Sequence, residues 1–221
     1  MKWTVVIFLS LVCFACLNDR PTRFDHTTPE IDTSDQINYE GEDRHIWQKP
    51  DYVISRFGEL RGKTVADLGA GSGYFAYRFL KKGARVIAID IDSVMISLMR
   101  EEIQFFPDSL KENFEARLAA PDDPHLEKAE IDYLFISNTY PYIDRRVQYF
   151  SRIKPAFKEG GKILIVDFKK KHTPIGPPQS DRLALGEVEA ELIQAGYIIE
   201  RSDDTSLSFQ YIIIARPNKI D

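Results

Sequence analysis

The stretch Val65-Ala66-Asp67-Leu68-Gly69-Ala70-Gly71-Ser72-Gly73-Tyr74-Phe75 decides how the rest of the chain reads. A short apolar strand runs into three alternating glycines, and an amphipathic helix, Tyr74 to Lys82, follows and stops at Gly83. Gly69 permits the tight turn. Gly71 removes a side chain that would block a ligand, and Gly73 lets helix and strand pack closely. The loop lets backbone amides approach a nucleotide-like ligand; a plain strand-turn-helix connection is the competing reading.

The spacing separates two ligand classes. A dinucleotide fingerprint is G-x-G-x-x-G/A, with the helix N-terminus aimed at a pyrophosphate. Here the third glycine comes one residue early, and Tyr74 stands where that motif wants Gly or Ala. Asp67, two residues before the first glycine, repels a pyrophosphate and suits a cationic ligand bearing an amine. On these residues the chain resembles the class I S-adenosylmethionine-dependent methyltransferases, whose first motif is D-x-G-x-G-x-G. The resemblance implies S-adenosylmethionine as cofactor, with Asp67, Gly69, Ala70, Gly71, Ser72 and Gly73 around it.

The next strand, Arg85 to Ile89, ends at Asp90. An acidic residue about 20 positions after a glycine loop, at the end of the second strand, can accept hydrogen bonds from both ribose hydroxyls. Its other reading is a helix N-cap, a role that Asp92 or Ser93 fills better. The resemblance adds Ile91 to the cofactor contacts. Val94, Met95, Leu98 and Met99 recur at helical spacing behind it, the methionines as core filler.

Phe114 to Leu126 reads as a strand and the loop after it. In the resembled family this loop edges the adenine, which gives Asp122 the exocyclic amine and makes Ala119 and Ala120 an apolar wall. A simple turn at Asp122-Asp123-Pro124 is the alternative. The fourth strand, Ile131 to Ser137, is followed by Asn138-Thr139-Tyr140-Pro141-Tyr142-Ile143. Ligands of open α/β sheets bind beyond the carboxyl ends of the strands. Asn138, Tyr140 and Tyr142 are therefore the candidates for orienting a methyl acceptor, with Asn138 also a cofactor contact. Relatives with this pattern carry a Tyr-His-His-like run here, where this chain has Pro141 and Tyr142. The Asn-Pro-Pro-Tyr signature of amino-methylating nucleic-acid enzymes is also absent.

Downstream, Asp144 is placed to cap a helix with Val147, Phe150, Ile153 and Phe157 inward. Lys158-Glu159-Gly160-Gly161 then turns into the strand Lys162 to Phe168. A helix with Val188, Leu192 and Ile193 inward ends near Gly196, and two strands follow, around Tyr197–Arg201 and Phe209–Ala215. The resemblance covers roughly Trp47 to Arg216. It implies a Rossmann-like sheet of seven strands, mostly parallel with a C-terminal antiparallel strand, and helices on both faces. Val53, Ile54 and Phe57 share a helical face. Trp47, in a Trp-Gln-x-Pro segment that lies over the cofactor in the resembled proteins, is either a lid residue or a core residue.

The 221 residues carry a net charge of −5 and suffice for one domain with attachments. That balance argues against nonspecific nucleic-acid binding, which needs clustered cations. Lys169-Lys170-Lys171 is either a solvated loop or a contact for an acidic substrate. The loop Thr173 to Pro178 is either the rim of a substrate pocket or a stiff connector. Trp3 to Cys16 is apolar, short for a bilayer span, and fits a secretory signal core. With Cys16 after the small Ala15, it resembles a bacterial lipoprotein signal, which implies a membrane anchor through lipidated Cys16 or an uncleaved segment. The expected organisation is a signal at 1–16, a polar tether at 17–43 punctuated by Pro21 and Pro29, and a methyltransferase domain at 44–221. A cytoplasmic cofactor sits uneasily with an export signal.

The expected activity is methyl transfer to a small-molecule acceptor, with no metal and no nucleic-acid partner. The alternatives are an anchored binding protein on a methyltransferase scaffold and, against Tyr74 and Asp67, a nicotinamide-dependent oxidoreductase.

Overall fold

The computed structural model describes residues 43–218. The signal expected at 1–16 and all but the last residue of the tether at 17–43 lie outside them.

Seven strands form one sheet: β1 (Thr64–Leu68), β2 (Arg85–Asp90), β3 (Phe114–Leu118), β4 (Ile131–Ser137), β5 (Phe157–Phe168), β6 (Tyr197–Asp203) and β7 (Gln210–Pro217). The order is β3-β2-β1-β4-β5-β7-β6. β7 is antiparallel to both of its neighbours, while the other ladders are parallel. The expected architecture is therefore the observed one. Because alternate residues point to opposite faces, the sheet builds two cores. Ala66, Leu68, Ile87, Ile89, Ile163 and Ile165 meet the helices Arg146–Ile153 and Leu185–Gln194 through Phe150, Val188 and Leu192. Val65, Val86, Ala88, Leu164 and Val166 meet the helices Pro50–Ser55, Ala76–Lys81 and Ser93–Glu102 through Val53, Ile54, Phe79 and Met99. The direction of strand order reverses between β1 and β4, and a crevice opens there beyond the strand ends.

Several local expectations need correction. The helix after the glycine loop begins at Ala76, not Tyr74, because residues 71–75 are spent in turns. Asp144 does not cap the helix Arg146–Ile153; Arg145 before it is left-handed, and no side chain caps that end. Phe157 opens β5 instead of closing a helix. Lys158–Gly161 lie inside that strand as an irregularity between the pairs Ile131–Phe157 and Tyr133–Lys162. Val94, Leu98 and Ile193 face solvent; Ile96, Met99 and Leu192 take the core positions. Asp92 does cap its helix, accepting from the Val94 N–H at 2.8 Å.

Candidate functional site

The carboxyl ends of β1, β2 and β4 enclose two adjoining cavities that share Gly69, Thr139 and Tyr142 as walls. One, of about 270 Å³, is edged by Leu68, Asp90, Ile91, Ala119, Ala120 and Pro121. The other, of about 320 Å³, is edged by Arg44, Ala70, Gly71, Ser72, Asn138 and Pro177. The first is mainly apolar, with the carboxylates of Asp90 and Asp144 in its wall. The second is bounded by polar groups, Arg44 and Asn138 among them.

The three glycines have three different reasons. A Cβ on Gly69 would fall inside the Thr139 side chain, so this glycine lets the loop after β4 cross the loop after β1. A Cβ on Gly73 would meet the Tyr77 ring at 2.7 Å and Met99 at 3.3 Å, which is the helix packing that its position implies. A Cβ on Gly71 would enter open space bordering the cavity, as expected of a position kept clear for a ligand. The loop amides do less than its sequence promises. The Gly69 and Ala70 N–H groups donate to Ile89 O, Gly71 N–H to Asp90 Oδ2, and Gly73 N–H to Ala70 O. None of these four is left for a pyrophosphate.

Asp90 stands at the wall shared by loop and cavity. Its Oδ2 accepts from Gly71 N–H at 2.8 Å and its Oδ1 from Asp92 N–H at 3.0 Å. Each carboxylate oxygen has capacity for a further donor. The two amides fix the carboxylate's orientation at the cavity edge.

Asp67 is buried behind the loop and lines neither cavity directly. The backbone N–H of Ala76 bonds the carboxylate, yet Oδ2 has no partner among the described residues. Burial pushes its pKa up to about 7, with the Arg44 charge opposing and the Asp90 charge reinforcing the shift. Asp167, at the end of β5, is equally buried, has an unpartnered Oδ2 and is also pushed up to about 7, again chiefly by burial. An acid whose folded pKa is raised holds its proton longer when folded, so stability falls as pH rises from the unfolded value near 4 to about 7. Thermal melts from pH 4 to 8 should show Asp67→Asn and Asp167→Asn gaining on the parent chain as pH rises. A parent-minus-variant difference that is flat with pH contradicts this.

The loop after β4 sorts its three candidates. Asn138 adopts a left-handed φ of 58° and edges the second cavity. Tyr142 is 61 % exposed and lies between the two cavities. Tyr140 turns the other way. It is fully buried, its ring stacks on Phe150 with centroids 4.9 Å apart, and its hydroxyl donates to Glu191 Oε2 at 3.0 Å. Arg146 holds the same carboxylate through two bonds of 2.7 and 2.8 Å. Burial and the Glu191 charge drive the Tyr140 pKa upward, away from any role as a base. Tyr140→Phe should therefore cost about 1.5–3 kcal/mol of stability, the worth of a hydrogen bond to a charged group, and leave nucleoside affinity within about twofold. A loss of affinity with an unchanged melt would reverse that assignment.

Asp122 is exposed and is not part of the cavity wall; its carbonyl accepts from Arg152 at 2.9 Å. Ala119 and Ala120 do form that wall. Trp47 is buried at 5.6 Å from the Phe168 ring, a core position. Its neighbours are candidate site residues that the sequence did not disclose. Arg44, 8 % exposed, edges the second cavity with its guanidinium 3.8 Å from the Tyr74 ring centre. Gln48, fully buried, reaches Ser137 and Gln210. The Trp-Gln pair hinted at this segment, but no local pattern says which side chain enters the site. The loop 169–182 is held by buried Arg182, which donates to the carbonyls of Lys171, Ile175 and Pro177, and Pro177 reaches the cavity. Among the described residues no cluster could hold a metal, and no helix is long and apolar enough to cross a membrane.

The profile of the methyltransferase-domain family matches residues 59–203, and the chain belongs to that family. Together with the sheet order this defines a class I methyltransferase fold. Phosphoethanolamine N-methyltransferase 2 of Caenorhabditis elegans is 32 % identical over 121 residues, 53 % of this chain and 27 % of that protein. The tRNA U34 carboxymethyltransferase of Pseudomonas aeruginosa is 26 % identical over 144 residues, 64 % of this chain and 40 % of that protein. The chain thus spans well under half the length of these two relatives. A methyltransferase structure from Aquifex aeolicus, described as S-adenosylmethionine-dependent, superposes with a TM-score of 0.74 at 23 % identity, covering 84 % of this chain and 98 % of that one.

Proposed function

We propose that this chain transfers a methyl group from S-adenosylmethionine to a small-molecule acceptor. The observation that carries the reading is Asp90: a carboxylate at the end of β2, oriented by two amides, at the edge of a mainly apolar cavity walled by Ile91, Ala119 and Ala120. That is the chemistry that a ribose diol and an adenine ring require. The unpartnered oxygen of Asp67 fits the ammonium of an amino-acid end, met directly or through one water. Arg44 and Asn138 fit its carboxylate. When bound, S-adenosylmethionine supplies an electrophilic methyl group on a sulfonium.

The protein's part is alignment and exclusion of water. Tyr142, between the two cavities, and Thr139 beside it are placed to orient an acceptor. Pro177 closes the second cavity from the side of β5. No histidine lines these walls, and the carboxylates that do, Asp90 and Asp144, edge the first cavity. A nicotinamide dinucleotide is disfavoured, since the four loop amides that would meet a pyrophosphate already have partners.

The test is transfer of an isotopically labelled methyl group to a panel of small amines, thiols, hydroxyls and carboxylates. Label in at least one acceptor, with S-adenosylhomocysteine released in equal amount, is expected. Tight nucleoside binding with no transfer across the panel would favour the anchored binding protein instead. Attachment to a membrane through lipidated Cys16 is part of the same proposal and is supported by the sequence of residues 1–16 alone. Mass spectrometry of the amino-terminal peptide from a membrane fraction tests it; an unmodified Cys16 in soluble full-length protein would remove it.

A further inference from the structure

A chain of side-chain amides links the first described helix, Arg44–Trp47, to the loop after β4. Arg44 Nε donates to Gln48 Oε1 at 2.6 Å. Gln48 Nε2 donates to Ser137 Oγ and to Gln210 Oε1, each at 3.1 Å. Gln210 Nε2 donates to Asn138 Oδ1 at 2.6 Å. Both glutamines are fully buried, and Gln210 comes from the first position of β7, far away in the chain.

The direction of this chain is forced. A primary amide has one accepting and one donating end, whereas a guanidinium only donates. Arg44 therefore draws the oxygen of Gln48. The Gln48 nitrogen is left for the oxygen of Gln210, and the Gln210 nitrogen for the oxygen of Asn138. Two buried amides held in this way lose their freedom to flip, because reversal would set donor against donor at Arg44 and leave buried groups unpaired. The backbone of Asn138 is fixed as well, with its N–H on Val166 O at 3.0 Å. What Asn138 has left for the cavity is its Nδ2 group.

We propose that Gln48 and Gln210 are positioning residues that make Asn138 a hydrogen-bond donor, so that the cavity bordered by Arg44 and Asn138 selects a carboxylate oxygen. This rests on the S-adenosylmethionine reading, which puts the carboxylate of the donor's amino-acid end there. It also gives the buried Gln48 a task beyond packing: it transmits the polarity of Arg44 to a second residue of the cavity wall.

The test uses the full chain and two probes, S-adenosylhomocysteine and 5′-methylthioadenosine. The second keeps the adenosine and lacks the amino-acid end. Gln210→Glu preserves side-chain length but offers only acceptor oxygens. It draws the Asn138 Nδ2 group to itself and turns the Asn138 oxygen toward the cavity. Calorimetry should show S-adenosylhomocysteine weakened by about tenfold or more in Gln210→Glu, with 5′-methylthioadenosine within about twofold of the parent. Gln48→Met, one link earlier and uncharged, should give a smaller loss with the same selectivity, and it serves if Gln210→Glu fails to fold. Equal weakening of both probes in the folded variants would mean that the amides only pack. Parent-like affinity for S-adenosylhomocysteine in both variants would overturn the relay. Absence of binding of either probe to the parent chain would remove the cofactor reading itself, and this proposal with it.

Discussion

Asp90→Ala is expected to weaken S-adenosylhomocysteine binding by about 10²- to 10³-fold, the loss of two hydrogen bonds to a charged group at roughly 1.5–2 kcal/mol each. Two effects act in the same direction. The ribose hydroxyls lose their acceptors, and Gly71 loses the carboxylate that anchors its amide at 2.8 Å. The fold should survive, because Asp90 lies at the end of β2, outside both cores, and Asp92 still caps the following helix. Calorimetry beside circular dichroism separates the two properties. Unchanged affinity in a folded variant would mean that the carboxylate only ties the loop and never meets a ribose. Asp90→Asn, which keeps one acceptor, should fall between the two.

The second large effect is on the fold. Gly69→Ala places a methyl group within the Thr139 side chain, at a backbone φ of 75° that costs an L-residue about 1–2 kcal/mol before any overlap. Overpacking adds about 1–3 kcal/mol. A chain of this size should lose several degrees of melting temperature, and the walls common to both cavities should be displaced. Thr139→Gly in the same chain removes the overlap but not the backbone cost, so the double variant should recover only part of the loss. A Gly69→Ala protein that melts with the parent would contradict the close crossing of the two loops.

These two residues also mark how far the chain could be read in advance. Asp90 was legible because strand period, glycine spacing and the N-cap at Asp92 are all local patterns. The seven-stranded, mostly parallel sheet with its antiparallel strand followed in the same way, from short apolar runs and a resemblance carried by the glycine loop, while the strand order itself came only from the structure. The β4 loop was legible as a place but not as a set of side chains. A single turn of 3-10 helix, Tyr140–Tyr142, sends Tyr140 into the core toward Glu191 and Tyr142 out to the cavities. No periodicity encodes that divergence. Arg44, Gln48 and Gln210 were invisible for another reason. Their contacts exist only when the first described helix, β4 and β7 meet, and Gln48 and Gln210 are 162 positions apart. The glycine loop shows the opposite failure. Its pattern suggested free amides, but the tight turn turns four of them inward to Ile89, Asp90 and Ala70. What the loop leaves beside the cavity is clearance at Gly71.

The turn expected at Lys158–Gly161 was displaced for a related reason. Gly160 carries a positive φ of 75°, but β5 continues through it, because Phe157 pairs with Ile131 before the segment bulges and resumes at Lys162. Helix faces were misread where apolar residues outnumber core positions: Val94, Leu98 and Ile193 are exposed although each has a buried neighbour one or two residues away.

The most direct test of the account is a calorimetric titration of S-adenosylmethionine, S-adenosylhomocysteine and NAD into the purified full chain. Micromolar binding of the first two, one per chain, with no heat from NAD, is the predicted result. Binding of NAD without either S-adenosyl compound would contradict it and return the site to the dinucleotide class that Tyr74 and the occupied loop amides argue against.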